Sequence, residues 1–142
     1  MDNNVLAVTT SIKVRFSEVD SMGIVWHGNY MKYLEDGREA FGNHYGINYL
    51  DFYKRGVMIP LVKIVCDYKR PLYYGDNVLV ETRFINSDAA KIQYEYTIFR
   101  NHTDEVSATG ISVQVFVNME KELLLEMPPF FRAWKKEMGL IS

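Results

Sequence analysis

With 142 residues, 16 lysines and arginines against 18 aspartates and glutamates, and a net charge of −2, the chain is long enough for one buried core and too short for two, so residues 1–142 are read as a single domain. The mildly acidic balance excludes a nucleic-acid binder held by phosphate contacts, and no apolar run approaches the roughly 20 residues of a membrane span. A single cysteine, Cys66, excludes an internal disulfide and a cysteine-rich metal site, and Met1-Asp2-Asn3-Asn4 lacks the charge and apolar run of a signal peptide, so a cytoplasmic location is expected.

No repeat, low-complexity segment or linker interrupts the chain. Ile12, Val14 and Phe16 alternate with Lys13 and Arg15, which predicts a strand over about Thr10 to Phe16. Tyr30, Tyr33, Leu34, Gly37, Phe41, His44 and Tyr45 share one face at helical spacing, predicting a helix from about Tyr30 to Tyr45 that Gly46 ends. Gly37 costs that helix roughly 1 kcal/mol against alanine, which implies that something packs closely there. Four alternating runs follow: Val62 to Lys69, closed by Pro71; Val78 to Ile85; Ile92 to Phe99; and Ile111 to Asn118 after an expected bulge at Gly110. The turns around Asn86-Ser87-Asp88 and Asn101-His102-Thr103-Asp104 are short enough for antiparallel hairpins. Pro128 and Pro129 open a last helix, Phe130 to Met138, which Gly139 ends.

One long helix and a set of antiparallel strands make an α+β domain, and the economical packing wraps a curved sheet around the helix, since each needs one apolar face covered. A sheet of about five strands leaves edges that must be covered or paired.

The stretch that carries chemistry is Asp20-Ser21-Met22-Gly23-Ile24-Val25-Trp26-His27-Gly28-Asn29-Tyr30. It sets an acid and a histidine in a glycine-containing loop that runs straight into the long helix, where Asn29 is placed to cap. The first N–H groups of a helix are unpaired and carry partial positive charge, so they can hold a carbonyl oxygen as it becomes an oxyanion. A carboxylate beside such donors could attack an acyl group or activate water; the alternative is an aspartate that only closes its loop.

With Val14-Arg15-Phe16-Ser17-Glu18-Val19 before it, this stretch resembles the opening of the 4-hydroxybenzoyl-CoA thioesterase-like (acyl-CoA thioesterase) branch of the hot-dog fold superfamily. The matching positions are Asp20, Gly23, Ile24, Val25, Trp26, Asn29 and Tyr30, without a gap. A looser match is Asp67-Tyr68-Lys69-Arg70-Pro71 followed by Gly75-Asp76. The resemblance implies a hot-dog fold, subunits joined edge to edge as a homodimer or a dimer of dimers, and an active site at their interface. Asp20 would be the nucleophile or general base, and the backbone N–H of His27 or a neighbour the oxyanion donor. The His27 imidazole would orient water or bond the thioester carbonyl, or else be a satisfied interior histidine. Gly23, Ile24, Val25, Trp26, Tyr30 and Glu35 would line the substrate pocket. No metal or cofactor is expected, because coenzyme A is part of the substrate.

Coenzyme A carries phosphates, for which Lys69, Arg70 and Lys91 are the basic candidates, with Arg100 after them. Some members carry a run of basic residues at the turn where this chain has Asp88-Ala89-Ala90-Lys91, a departure that keeps an acyl-carrier-protein thioester open as substrate. Glu35 and Glu39 compete with Asp20, since a second thioesterase branch keeps its carboxylate on the helix. Asp36 reads as a polar-face residue, His44 and His102 as structural, and Cys66 as a small core residue. Two other function classes remain, a hydroxyacyl-thioester dehydratase and a non-catalytic acyl-CoA-binding protein. The many aromatics on the helix face and strands favour a short-to-medium or aromatic acyl group over a long fatty chain.

Overall fold

The computed structural model describes residues 5–141; Met1–Asn4, read above for a signal peptide, lie outside it. In chain order the elements are β1 (Ala7–Lys13), α1 (Tyr30–Tyr45), α2 (Tyr49–Tyr53), β2 (Val57–Met58), β3 (Leu61–Tyr68), β4 (Asn77–Ile85), β5 (Lys91–Arg100), β6 (Val106–Val115), β7 (Val117–Asn118) and α3 (Pro129–Glu137). Five strands form one antiparallel sheet in the order β1-β4-β5-β6-β3, with β2 and β7 paired separately. The sheet wraps α1, the hot-dog arrangement expected above. The helix buries Tyr30, Tyr33, Leu34, Gly37 and Phe41 against sheet residues such as Val78, Val80, Ile98 and Ala108, all without exposed surface. This leaves β3 as a free edge at the far side of the sheet from β1.

The long helix spans the residues expected, and Gly46, at φ +78°, ends it in the left-handed conformation. His44, placed above on the buried face, is exposed. The first strand ends earlier than its alternation suggests. The Glu18 carboxylate accepts the Arg15 N–H at 2.9 Å and draws Phe16–Glu18 into a 3-10 turn, so Phe16 is 75% exposed and the inward positions are Val8, Thr10 and Ile12.

The last sheet strand starts five residues before Ile111, because Val106 to Gly110, though poor in apolar alternation, pair with β3 and β5 on both sides. The bulge is not at Gly110, which pairs regularly with Cys66 and Tyr96; the register shifts between Ile98 and Phe99, opposite Ala108 and Val106. Gly110 instead gives clearance, since a Cβ there would lie 3.0 Å from both Leu34 Cδ1 and the Val65 carbonyl. The run also stops at Val115, Phe116 turns into the core, and Val117–Asn118 join β2. At the β5–β6 turn, Asn101 and His102 both have positive φ, the Thr103 N–H bonds the Arg100 carbonyl at 3.1 Å, and the Arg100 N–H bonds the Glu105 carbonyl at 3.1 Å, closing a four-residue hairpin loop.

Helix α2 was not anticipated, although Asn48-x-x-Asp51 has capping-box spacing. Each of these side chains accepts the other's backbone N–H at 2.9 Å. Helix α3 closes one end of the barrel-like wrap: Trp134 Nε1 donates to the Tyr45 carbonyl at 2.7 Å. The buried Lys135 donates to the Ser87 carbonyl at 2.7 Å, and loss of hydration lowers its pKa from the usual lysine value. Among the described residues no helix is long and apolar enough to cross a membrane.

The helix glycine has its explanation in packing. A Cβ on Gly37 would fall inside van der Waals contact of Thr82 Oγ1 and lie 2.9 Å from Val80 Cγ1. Gly37→Ala should therefore lower the melting temperature despite a helix-propensity gain of about 1 kcal/mol, because overpacking costs about 1–3 kcal/mol. Thermal unfolding of the single variant beside Gly37→Ala/Thr82→Ala checks this, since removing the Thr82 hydroxyl and methyl should recover part of the loss. A rise in melting temperature for Gly37→Ala alone would refute it.

Candidate active site

Glu18 organises the loop between β1 and α1. Its carboxylate accepts the Arg15 N–H and, at 2.9 Å, the hydroxyl of the helix residue Tyr33. Its carbonyl accepts the Trp26 N–H at 3.0 Å and the Asn29 side-chain amide at 2.8 Å. The Asn29 side chain is thereby committed to Glu18 and does not cap α1, a correction to the reading above; a 3-10 turn over His27–Asn29 leads into the helix instead. Burial and the Glu18 hydrogen bond push the Tyr33 phenol well above its ordinary pKa, keeping it a donor.

Within this frame Asp20 closes a tight turn. Its N–H donates to the Ile24 carbonyl at 2.9 Å, while its Oδ1 accepts the N–H groups of Met22 at 2.8 Å and Ile24 at 3.4 Å. Gly23, at φ +78°, supplies the left-handed residue this turn needs. Oδ2 of Asp20 has no hydrogen bond among the described residues and the side chain is exposed, so one carboxylate oxygen is held and the other is free to react. Val25 N–H donates to the Leu72 carbonyl at 2.8 Å and Ile24 bridges Tyr73. The two motifs quoted above, around Asp20 and around Lys69–Asp76, therefore meet in space.

The N–H groups of His27 and Gly28 precede any carbonyl of their helical turn that could take them, and no other described residue accepts them. The Tyr68 hydroxyl donates to the His27 carbonyl at 3.0 Å, fixing this turn against the end of β3. Burial pushes the nearby Tyr30 phenol up to about 12. The resulting cleft, about 370 Å³, is lined by Asp20, Ile24, Val25, Trp26, His27, Tyr30, Tyr68, Lys69, Arg70 and Pro71. The β6 bulge aims its basic rim: the Ser107 carbonyl accepts the N–H groups of both Lys69 and Arg70, and Arg70 Nη1 reaches the Val106 carbonyl at 3.3 Å.

The fold does not bring every sequence candidate here. Glu35 and Glu39 border a different cleft. Lys91 starts β5, level with Val115, whereas Tyr68 is level with Ala108 and Ile98, so Lys91 lies at the opposite end of the sheet within one subunit. Arg100 is committed to Asp76, Nε to Oδ2 at 2.8 Å, and is not a free phosphate ligand. Two residues of the site were missed. Tyr68 enters the sequence reading only within a strand alternation and the looser Asp67–Pro71 match, and Glu18 only within the run that precedes Asp20; neither is singled out by residue type or spacing. Among the described residues no three His, Cys, Asp or Glu side chains gather to hold a metal ion. The arrangement presents a carboxylate oxygen and free backbone donors to one cleft with a cationic side, which suits attack on an activated acyl group followed by charge stabilisation.

Comparison with known proteins identifies the family. The family model described as the thioesterase-like superfamily matches residues 14–135. YneP of Bacillus subtilis (strain 168), provisionally named an acyl-CoA thioesterase, is 37% identical over 123 residues, spanning 87% of this chain and 88% of that one. The crystal structure of the DHNA-CoA thioesterase of Staphylococcus aureus superposes with a TM-score of 0.81 at 26% identity, covering 94% of this chain and 92% of that one. The 4-hydroxybenzoyl-CoA thioesterase of Pseudomonas sp. strain CBS-3 shares the fold, with a TM-score of 0.77 at 18% identity over 90% of this chain and 98% of that one. With the loop carboxylate, the donors beside it and the hot-dog frame all in place, the chain belongs to the thioesterase-like superfamily and is a thioester hydrolase.

Proposed function

We propose that this protein hydrolyses acyl-CoA thioesters to the free acid and CoA, working in the cytoplasm as a homodimer or a dimer of dimers and without a metal or added cofactor. The observation that carries the reading is that Asp20, with one carboxylate oxygen unbonded, and His27, with its backbone N–H unbonded, line one cleft together with Lys69 and Arg70. A thioester carbonyl lacks much of an amide's resonance, so these groups suffice. Asp20 Oδ2 either attacks the carbonyl carbon to give a mixed anhydride or takes a proton from an attacking water. The carbonyl oxygen gains charge against the helix-start donors, the C–S bond breaks, and the CoA thiolate leaves to be protonated. Lys69 and Arg70 hold the CoA phosphates at the rim.

The free edge of β3 supports the assembly. Leu61, Val62, Val65 and Tyr68 are all exposed on it, and a bare apolar edge is the surface on which a second sheet pairs. Incubation with a panel of acyl-CoAs, and with acyl-carrier-protein thioesters, in the presence of a thiol reagent tests the chemistry. Thiol release fastest for short-to-medium or aromatic acyl-CoAs, and slower for palmitoyl-CoA, is expected. Water loss from a 3-hydroxyacyl-CoA without thiol release would identify a dehydratase instead. Light scattering should give at least twice the monomer mass; a fully active monomer at micromolar concentration would overturn the assembly.

A further inference from the structure

The backbone donors at the start of the His27–Asn29 turn are each one end of a planar peptide, and in a trans peptide the N–H and the C=O point in opposite directions. Such a donor can be aimed from behind, through the oxygen with which it shares a plane. The His27 N–H shares its peptide with the Trp26 carbonyl, which accepts the Asn29 N–H at 2.9 Å. The Gly28 N–H shares its peptide with the His27 carbonyl, which accepts the Tyr30 N–H within the turn and the Tyr68 hydroxyl at 3.0 Å. The Asn29 and Tyr30 bonds are the ordinary ones of a short helical turn. The Tyr68 bond is different, because it comes from a side chain 41 residues away in sequence. A carbonyl oxygen has two lone pairs, and here both are taken, so the plane that carries the Gly28 N–H is held at two points.

The donor end of that plane is open. No described residue accepts the Gly28 N–H, and consecutive N–H groups of a helical turn point the same way, so it faces with the N–H of His27, which lines the Asp20 cleft. The Tyr68 ring is set by its neighbours. It meets the buried Tyr30 ring edge-on at 4.9 Å between centroids, and the His27 imidazole at 6.3 Å. Partial burial and the Cys66 thiol beside it raise the Tyr68 phenol above its ordinary value, so the hydroxyl keeps its proton at neutral pH and remains a donor. The Trp26 indole packs so closely on Gly28 that a Cβ there would collide with the ring, and indole and phenol therefore brace the same peptide. A hydrogen bond to a carbonyl also polarises the amide it belongs to, which strengthens the N–H at the other end.

We propose that Tyr68 is a positioning residue for hydrolysis: by holding the His27 carbonyl, its hydroxyl aims the Gly28 N–H as a second oxyanion donor beside that of His27. The proposal rests on the thioesterase reading and adds to it a side chain that acts through the backbone rather than on the reacting atoms. Tyr68→Phe removes the hydroxyl and keeps the ring contacts with Tyr30 and His27, so it tests that one bond, with thermal unfolding establishing that the variant is folded. Outright removal of an oxyanion donor lowers kcat by about 100- to 1,000-fold, and loosening one should lower it by about tenfold with benzoyl-CoA or hexanoyl-CoA. KM should change by less than about twofold, because the interaction strengthens only as charge develops on the carbonyl oxygen. Two further readouts separate positioning from a general structural role. By NMR of the protein without substrate, the Gly28 amide resonance should move in Tyr68→Phe while the Met22 amide, held by Asp20, stays in place. In the Asp20→Asn background, where the thioester persists, the carbonyl stretch of bound benzoyl-CoA should rise in frequency when Tyr68→Phe is added, since the oxygen loses part of a donor. An unmoved Gly28 amide, an unchanged carbonyl stretch, or a rise in KM at constant kcat overturns the proposal and leaves the thioesterase reading standing. Absence of thiol release from the wild-type protein with both acyl-CoAs overturns the thioesterase reading, and the Gly28 amide still judges the link to Tyr68.

Discussion

Asp20→Asn should leave the fold intact and lower kcat by a factor of about a hundred or more, the loss expected when a base or nucleophile is removed. Asparagine keeps an oxygen where Asp20 Oδ1 accepts the Met22 and Ile24 N–H groups, so the turn survives while the reactive anion disappears. That separation makes the variant informative, since circular dichroism and the melting temperature should match the wild type. Glu35→Gln and Glu39→Gln should change turnover far less, because both border the other cleft. An active Asp20→Asn protein beside an inactive Glu35→Gln protein would move the catalytic carboxylate onto the helix.

The largest loss of stability is expected from Asp76→Asn. Asp76 is 7% exposed and joins three segments: Oδ2 accepts Arg100 Nε and the Tyr73 N–H, each at 2.8 Å, and Oδ1 accepts Asn101 Nδ2 at 3.2 Å. Its carbonyl accepts the Val14 N–H at 2.9 Å, beyond the end of β1. Burial alone would raise the carboxyl pKa, but the Arg100 guanidinium and the Tyr73 and Asn101 donors outweigh it and hold the group below the usual carboxylate value. An asparagine amide turned toward Arg100 leaves that cation without its anion, which should cost about 2–4 kcal/mol, toward the lower end because Arg100 is partly exposed. The sign with pH follows from the lowered pKa. The stabilisation is complete above the unfolded carboxylate value near 3.9 and is lost as pH falls through the folded value. Urea unfolding at pH 7 and pH 3 should therefore show a wide gap between wild type and Asp76→Asn at neutral pH and a narrower one in acid. An equal gap at both would show that the charge is not what matters.

The helix was legible because a single buried face at 3.6-residue spacing dominates Tyr30 to Tyr45. The strands β4 and β5 were legible because one face of each is buried and the other is not. Where the reading slipped, tertiary structure outweighed local pattern. Val106 to Gly110 lack alternation because a central strand is held by neighbours on both sides, and Phe16 looked like a strand residue because nothing in its own alternation reveals Glu18 bending the chain. Asp20, His27, Lys69 and Arg70 were found from residue type and resemblance, and the fold places them around one cleft.

The sheet order also constrains how this protein comes into being. The partner of β1 is β4, which is synthesised roughly seventy residues later. During synthesis the first strand must wait while α1, α2 and β3 emerge, and its pairing closes one of the longest loops in the molecule. The Asp20 loop hangs from the end of β1, tied by Val14 to Asp76 at the entrance to β4. Hydrogen exchange during refolding should accordingly protect the β4–β5–β6 hairpins before the amides of β1, with hydrolytic competence arriving in that last phase. A chain truncated before β4 would carry every residue of the Asp20 loop and yet have no scaffold on which to hold it.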